Sequence, residues 1–206
     1  MKPIPTQLGS GILGFYLFFS GCVNLERSAP ERHYFVIELP NSANRSAPSG
    51  EEVLMVANLR ISPRYADRSF VYRTSDAGYE SDYYNQFLAA PDVMISEELR
   101  KGLARAAQFK FVVGPANPLQ PNYALEGSIT SLYGDFRNAA QPAAVLEMDF
   151  FLYRENSNNQ GVVLQKRYVK SVPLGQKSAE ALVKGWDRAL QEIIAALAAD
   201  LKAANL

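Results

Sequence analysis

Groups able to do chemistry are scarce in this chain. Its 206 residues include one histidine, one cysteine and one tryptophan. A single cysteine forms no disulfide within the chain. With His33 it also falls short of the roughly three His, Cys, Asp or Glu ligands that a catalytic metal site gathers. A serine-histidine-acid triad would need the same His33, and no serine stands in G-x-S-x-G. His33 therefore reads as a plain residue at the start of a strand. Gly102, Gly114, Gly127, Gly134 and Gly161 form neither G-x-G-x-x-G nor a phosphate loop, so neither a metal nor a cofactor is expected. Gly127 lies inside a strand pattern and reads as a bulge or a place where a helix comes close. Charge of either sign is not in excess: 21 basic and 21 acidic residues cancel, which leaves no footprint for nucleic acid. The acid pairs Glu97-Glu98 and Glu147 with Asp149 read as a solvated helix turn and one face of one strand, not as glycosidase carboxylates. No enzymatic activity is expected. Long hydrophobic runs are missing too, since Gly11 to Phe19 is about half of the roughly 20 apolar residues that a bilayer crossing needs.

The N-terminus nevertheless has a recognisable order. Met1 and Lys2 give a positive start, Gly11 to Phe19 an apolar centre, and Ser20-Gly21 a small-residue end, the three parts of a signal peptide. No A-x-A-like cleavage pattern follows. Ser20-Gly21-Cys22 instead resembles the lipobox of bacterial lipoproteins. That resemblance implies a diacylated Cys22 sulfur, cleavage before Cys22 and acylation of the new N-terminus. One acyl chain holds a protein marginally, whereas two or more hold it stably. The expected division is a signal peptide at 1–21, a lipidated tether at 22–32 and a single domain at 33–206. Ten extended residues of tether reach at most about 35 Å. Val23, by similarity to the sorting rule of Gram-negative lipoproteins, implies the outer membrane.

The chain as a whole is rich in apolar residues, with 11 Tyr and 11 Phe. Strand signals occur at 33–39, 53–62, 69–75, 109–114, 123–136, 143–155 and 161–172, separated by the loops 40–52 and 115–122 and the turn 156–161. Leu146, Met148, Phe150 and Leu152 alternate with Glu147 and Asp149, the pattern of a half-buried antiparallel strand. Two segments have helical spacing. Ile95, Leu99, Leu103 and Ala106 form one apolar stripe after Pro91 and Asp92. Leu182, Trp186, Leu190, Ile193, Leu197 and Leu201 form the other, with Ser178 as N-cap. The fold class expected is α+β, a mainly antiparallel sheet with two amphipathic helices packed on one face.

Between strand and helix, "FVYRTSDAGYESDYYNQF" gathers Tyr72, Arg73, Tyr79, Tyr83, Tyr84 and Phe87 around what reads as a loop. Such rings either cover a helix-sheet seam or form a partner-binding surface. The stretch from Phe70 to Leu103 resembles the ABC-type transport auxiliary lipoprotein family. The resemblance rests on Val71-Tyr72-Arg73, Tyr79, Asp82, Tyr83, Phe87, Pro91, Leu99 and Leu103, and extends to Cys22, to Arg32 with Tyr34, to the paired strands after Asn122 and to the terminal helix. It implies a periplasm-facing lipoprotein held to the outer membrane by its acyl chains. The implied partners are an ABC permease, its ATPase and an MCE-domain protein, in lipid transport between two membranes. The surface from Tyr72 to Phe87 is the expected contact. An adapter for assembly of an outer-membrane or cell-wall protein and a periplasmic lipid-binding carrier are the alternatives, and a homo-oligomer stays open on any of these readings. If the lipobox reading holds, Cys22→Ser leaves the precursor uncut and without lipid, which the intact mass of protein from its native host reports directly.

Overall fold

The computed structural model describes residues 31–40, 47–155, 161–204 and 206. Cys22, the signal segment, the tether up to Pro30, the middle of the 40–52 loop and the turn at 156–160 lie outside the described residues. In chain order the elements are β1 (His33–Phe35), β2 (Val53–Val56), β3 (Arg60–Ile61), a 3₁₀ turn (Pro63–Tyr65), β4 (Ser69–Arg73), β5 (Tyr79–Phe87), α1 (Pro91–Arg105), β6 (Phe111–Val113), β7 (Tyr123–Asp135), β8 (Ala143–Arg154), β9 (Val162–Pro173) and α2 (Ala179–Ala203).

The nine strands form one mixed sheet with β7 as its hub. On one side β7 pairs antiparallel with β8 along its full length, and β8 with β9. On the other side three short strands share β7 in parallel, β2 at Tyr123–Leu125, β3 at Ser128–Ile129 and β4 at Gly134–Asp135. Outside these, β6 pairs parallel with β2, β5 antiparallel with β4, and β1 parallel with β5. The α+β class is as expected. The long ladders are antiparallel, and the structure adds five short parallel ones. A parallel pair needs a long crossover, usually helical, and α1 lies in the connection between β2 and β6. The single strand expected at 53–62 is two, because the Leu59 N–H leaves the ladder for the Ser96 hydroxyl of α1 at 2.9 Å.

Both helices lie where their periodicity places them, except that Ala106, expected in the α1 stripe, is the exposed cap that follows the helix. Ile95, Leu99 and Leu103 of α1 and all six stripe residues of α2 are buried in one core with Leu146, Met148, Phe150 and Leu152 of β8. Ser178 caps α2 by accepting the Ala181 N–H at 3.2 Å. α2 packs against β8 at Gly185, where a Cβ would come 2.6 Å from that of Ala144, so a side chain there would push the helix off the sheet. Gly127 has a different role from either one expected. It clears space for side chains rather than a helix, since a Cβ would lie 2.7 Å from Leu59 Cδ2 and 2.8 Å from Phe150.

The strand expected at 33–39 ends at Phe35 because the chain is then taken over by the helices. Ile37 and Leu39 are buried, the Glu38 N–H donates to Asp187 of α2 at 3.1 Å, and the Leu39 N–H donates to Glu98 of α1 at 3.0 Å. Arg105 then holds the Pro40 carbonyl at 3.0 Å. Residues 36–40 thus form a strap tying α1 to α2. The solvated reading of Glu97-Glu98 holds for Glu97 alone; Glu98 is 4% exposed and also accepts from Lys101 at 2.8 Å.

Burial pushes the Asp187 carboxyl up to about 6; the Glu38 N–H opposes this, while the charges of Glu98 and Glu38 add to it. The native state therefore binds more protons than the unfolded chain between about 4 and 6. The contribution from Asp187 is complete below that window and is lost as pH rises through it. Asp187→Asn is expected to exceed the parent in urea midpoint at neutral pH, the gap closing on acidification toward about pH 4. A variant weaker at every pH would contradict this.

Candidate functional site

β4 and β5 are out of step. Val71–Arg73 pair with Tyr79–Ser81, and Ser69 pairs with Gln86, so Phe70 alone stands opposite Asp82, Tyr83, Tyr84 and Asn85. Those four residues form a wide bulge. An odd number of extra residues reverses which side chains face the core. Tyr79 and Phe87 would share a face on a regular strand, but here Tyr79 looks out and Phe87 looks in. Phe87 is 2% exposed, with ring centres 4.6 Å from Phe70 and 5.3 Å from Trp186. It belongs to the core and leaves the expected contact surface. The supposed loop before α1 is for most of its length the strand β5, entered through a turn in which the Thr74 N–H donates to the Gly78 carbonyl at 3.0 Å.

Asp82 closes the bulge. Its Oδ1 accepts the backbone N–H of Tyr84 at 2.8 Å and of Asn85 at 3.0 Å, and its Oδ2 accepts Asn85 Nδ2 at 2.7 Å and the Tyr72 hydroxyl at 2.6 Å. Burial alone would push this carboxyl up. The hydrogen bonds from Asn85, Tyr72 and the backbone outweigh it and leave the group below its ordinary value. Burial raises the Tyr72 hydroxyl well above the usual tyrosine range, and the bond to Asp82 and its charge add to the rise. Tyr72 is fixed further by stacking on Phe136 at 5.0 Å.

The bulge thrusts two rings into solvent. Tyr83 is 61% and Tyr84 42% exposed, set edge to face at 5.3 Å. The Arg32 guanidinium lies 4.2 Å from the centre of the Tyr83 ring. Tyr79, 39% exposed, meets Tyr133 edge to face at 5.9 Å, and Tyr133 stacks on Tyr65 at 6.1 Å. Arg73 lies 5.7 Å from the Tyr79 ring and donates from Nη2 to the Asp76 carbonyl at 2.8 Å, while its buried Nε has no partner among the described residues.

Of the residues expected at this site, Tyr83 and Tyr84 lie together on the bulge, Tyr79 and Arg73 lie together at the start of β5, Tyr72 holds the bulge through Asp82, and Phe87 is in the core. The keystone role of Asp82 and the positions of Asn85 and Tyr133 are apparent only in three dimensions. The Arg32-x-Tyr34 pattern was the visible sign that the chain entry joins this surface. Among the described residues no three His, Cys, Asp or Glu side chains group as metal ligands, and His33 is exposed on β1.

The family profile described as ABC-type transport auxiliary lipoprotein component matches residues 35–198. The chain belongs to that family. The auxiliary lipoprotein fold is also found in protein XCC0632 from Xanthomonas campestris, at TM-score 0.68 and 15% identity over 80% of this chain and 92% of that one. An uncharacterised protein of known structure is similar at TM-score 0.66 and 17% identity, covering 83% and 99% of the two chains. At such identities the likeness concerns the fold. No curated protein sequence gives a significant match.

If Asp82 is the keystone, Asp82→Ala, which strands the Tyr72 hydroxyl and two N–H groups, is expected to cost about 2–3 kcal/mol of stability. Tyr72→Phe is expected to cost about 1 kcal/mol. Because the folded carboxyl titrates below its unfolded value, its contribution is present above about pH 4 and is lost as pH falls further. Asp82→Asn should therefore flatten the acid limb of the stability profile. Urea melts across pH check all three variants, and wild-type midpoints for the Ala variant would remove the keystone role.

Proposed function

We propose that this auxiliary lipoprotein is a non-catalytic component of an MCE/ABC-type intermembrane lipid transport system. On this reading it is anchored in the outer membrane through acyl chains on Cys22, faces the periplasm, and docks its aromatic bulge on a periplasmic MCE-domain protein. ATP hydrolysis belongs to the ATPase partner, beside the permease. The observation that carries the reading is the exposure of Tyr83 and Tyr84 on a bulge that four hydrogen bonds to one carboxylate hold rigid. Tyrosine and arginine dominate binding hot spots, and a surface ordered before binding spends less free energy on becoming ordered. Tyr79 with Arg73 extends this surface along the outer face of β5.

A photo-crosslinking amino acid at Tyr84, in the native host, is expected to capture an MCE-domain protein. Tyr83→Ala with Tyr84→Ala should weaken the complex by about 30-fold, as loss of roughly 2 kcal/mol at a hot spot would. Capture of a β-barrel or a peptidoglycan synthase instead would favour the assembly adapter. A stoichiometric lipid in native mass spectra would favour the carrier.

A further inference from the structure

Beside the bulge lies a second exposed surface that docking leaves unused. β1 is an edge strand, pairing with β5. Its alternation turns Phe35 inward onto Phe70, with ring centres 5.2 Å apart, and leaves Tyr34 49% and Val36 43% exposed. Leu88, 57% exposed, adjoins them through its N–H, which donates to the Phe35 carbonyl at 2.8 Å. Arg68 completes the patch. Its Nη1 donates to the Leu88 carbonyl at 3.2 Å, and its guanidinium lies 6.0 Å from the centre of the Tyr34 ring. Arg32 borders the patch where the chain enters the fold. Among the described residues neither guanidinium has an ion pair with a carboxylate. Asp67, next in sequence to Arg68, is turned onto the Arg68 backbone N–H at 2.6 Å.

We infer that Arg32, Tyr34, Val36, Arg68 and Leu88 seat the folded body on the headgroup region of the bilayer that holds its anchor. The inference rests on the proposed lipidation of Cys22. Arg32 is ten residue steps from Cys22, so the chain enters the fold at most about 35 Å from the acylated end, and it enters at this patch. A tether that short gives an effective concentration of about millimolar, so a contact too weak to hold a free protein on a membrane is still occupied. The chemistry fits an interface between water and hydrocarbon. Tyrosine rings sit at headgroup depth, aliphatic side chains reach below them, and arginines donate to lipid phosphates while their stems lie on apolar surface. A docking protein would have to supply acids to both guanidiniums at the one edge that the tether keeps beside the membrane.

The test uses the full lipidated protein from its native host, with intact mass confirming acylation at Cys22. Because lipid then occupies the Cys22 sulfur, Leu88→Cys or Val169→Cys supplies the one free thiol for an environment-sensitive dye. Val169 is exposed on β9, at the opposite edge of the sheet from β1. In vesicles of phosphatidylethanolamine and phosphatidylglycerol that contain nitroxide-labelled lipid, quenching at 88 is expected to exceed that at 169 several-fold. Arg32→Glu with Arg68→Glu should bring quenching at 88 down to the level at 169. Equal weak quenching at both positions in protein shown to be acylated overturns the membrane seat while leaving the anchor standing. A dye response at 88 that requires added MCE-domain protein overturns it in favour of a protein contact. Absence of lipid on Cys22 overturns the anchoring reading and this inference with it.

Discussion

Burial of Phe87 is the constraint from which the surface of this protein follows. Its ring fills the space between Phe70 of β4 and Trp186 of α2, and Trp186 is itself held by its indole N–H donating to the Val145 carbonyl at 3.2 Å. To bring position 87 inward, β5 has to change face within a strand whose first residues look outward. A bulge with an odd number of extra residues is the way a strand does this. The residues taken out of the ladder are Asp82 to Asn85. Exposure of Tyr83 and Tyr84 is thus the outward side of the same step that completes the core, and the energy that fixes it comes from aromatic packing some distance away.

Such a bulge would be loose without something to replace the ladder bonds it gives up. Asp82 replaces them, accepting two backbone N–H groups itself and tying the loop to Tyr72 and Asn85. The strap at 36–40 solves a similar problem at the other end of β1. There the backbone N–H groups of Glu38 and Leu39 go to Asp187 and Glu98, one carboxylate from each helix, while Ile37 and Leu39 fill the core. The two devices differ in their response to pH. The Asp82 carboxyl lies below its ordinary value because donors surround it, whereas Asp187 lies above because burial and two neighbouring acids outweigh its single donor.

The elements that could be read from the sequence are those whose periodicity runs for three turns or more. The α2 stripe, the Ser178 cap and the alternation of β8 all emerge as the spacing requires, since many residues repeat one demand. The strands of two to five residues lie inside runs that read as strands, but nothing in those runs sets their ends or their parallel pairing on β7, which depends on the crossover through α1 and on side chains elsewhere. The segment around β5 reads as a loop because Gly78 in the turn before it, and Ser81, Asp82 and Asn85 within it, are turn and bulge residues. Glu98 reads as solvated because nothing local shows that Leu39, distant in sequence, will bring it an N–H. Phe87 reads as one more ring of a cluster that either covers a seam or meets a partner, because nothing local shows that the bulge turns it into the core.

The bulge and the β1 edge meet at Arg32, whose guanidinium covers Tyr83 just before the chain turns into β1. If the body is anchored through Cys22 as proposed, that junction limits the ways in which it can stand. A tether attached at random would let the domain turn freely, and a docking surface would face its partner in only a fraction of orientations. The chain enters the fold at Arg32, between the two surfaces, so under the proposed anchoring any attraction of Tyr34, Val36 and Leu88 to a membrane would also set the direction in which Tyr83 and Tyr84 point. The aliphatic edge would lie along the membrane and the tyrosine bulge beside it, turned along the membrane surface or away from it. On that proposal orientation would come from two weak contacts joined by a short chain, neither of which would have to be strong, because each would raise the local concentration of the other.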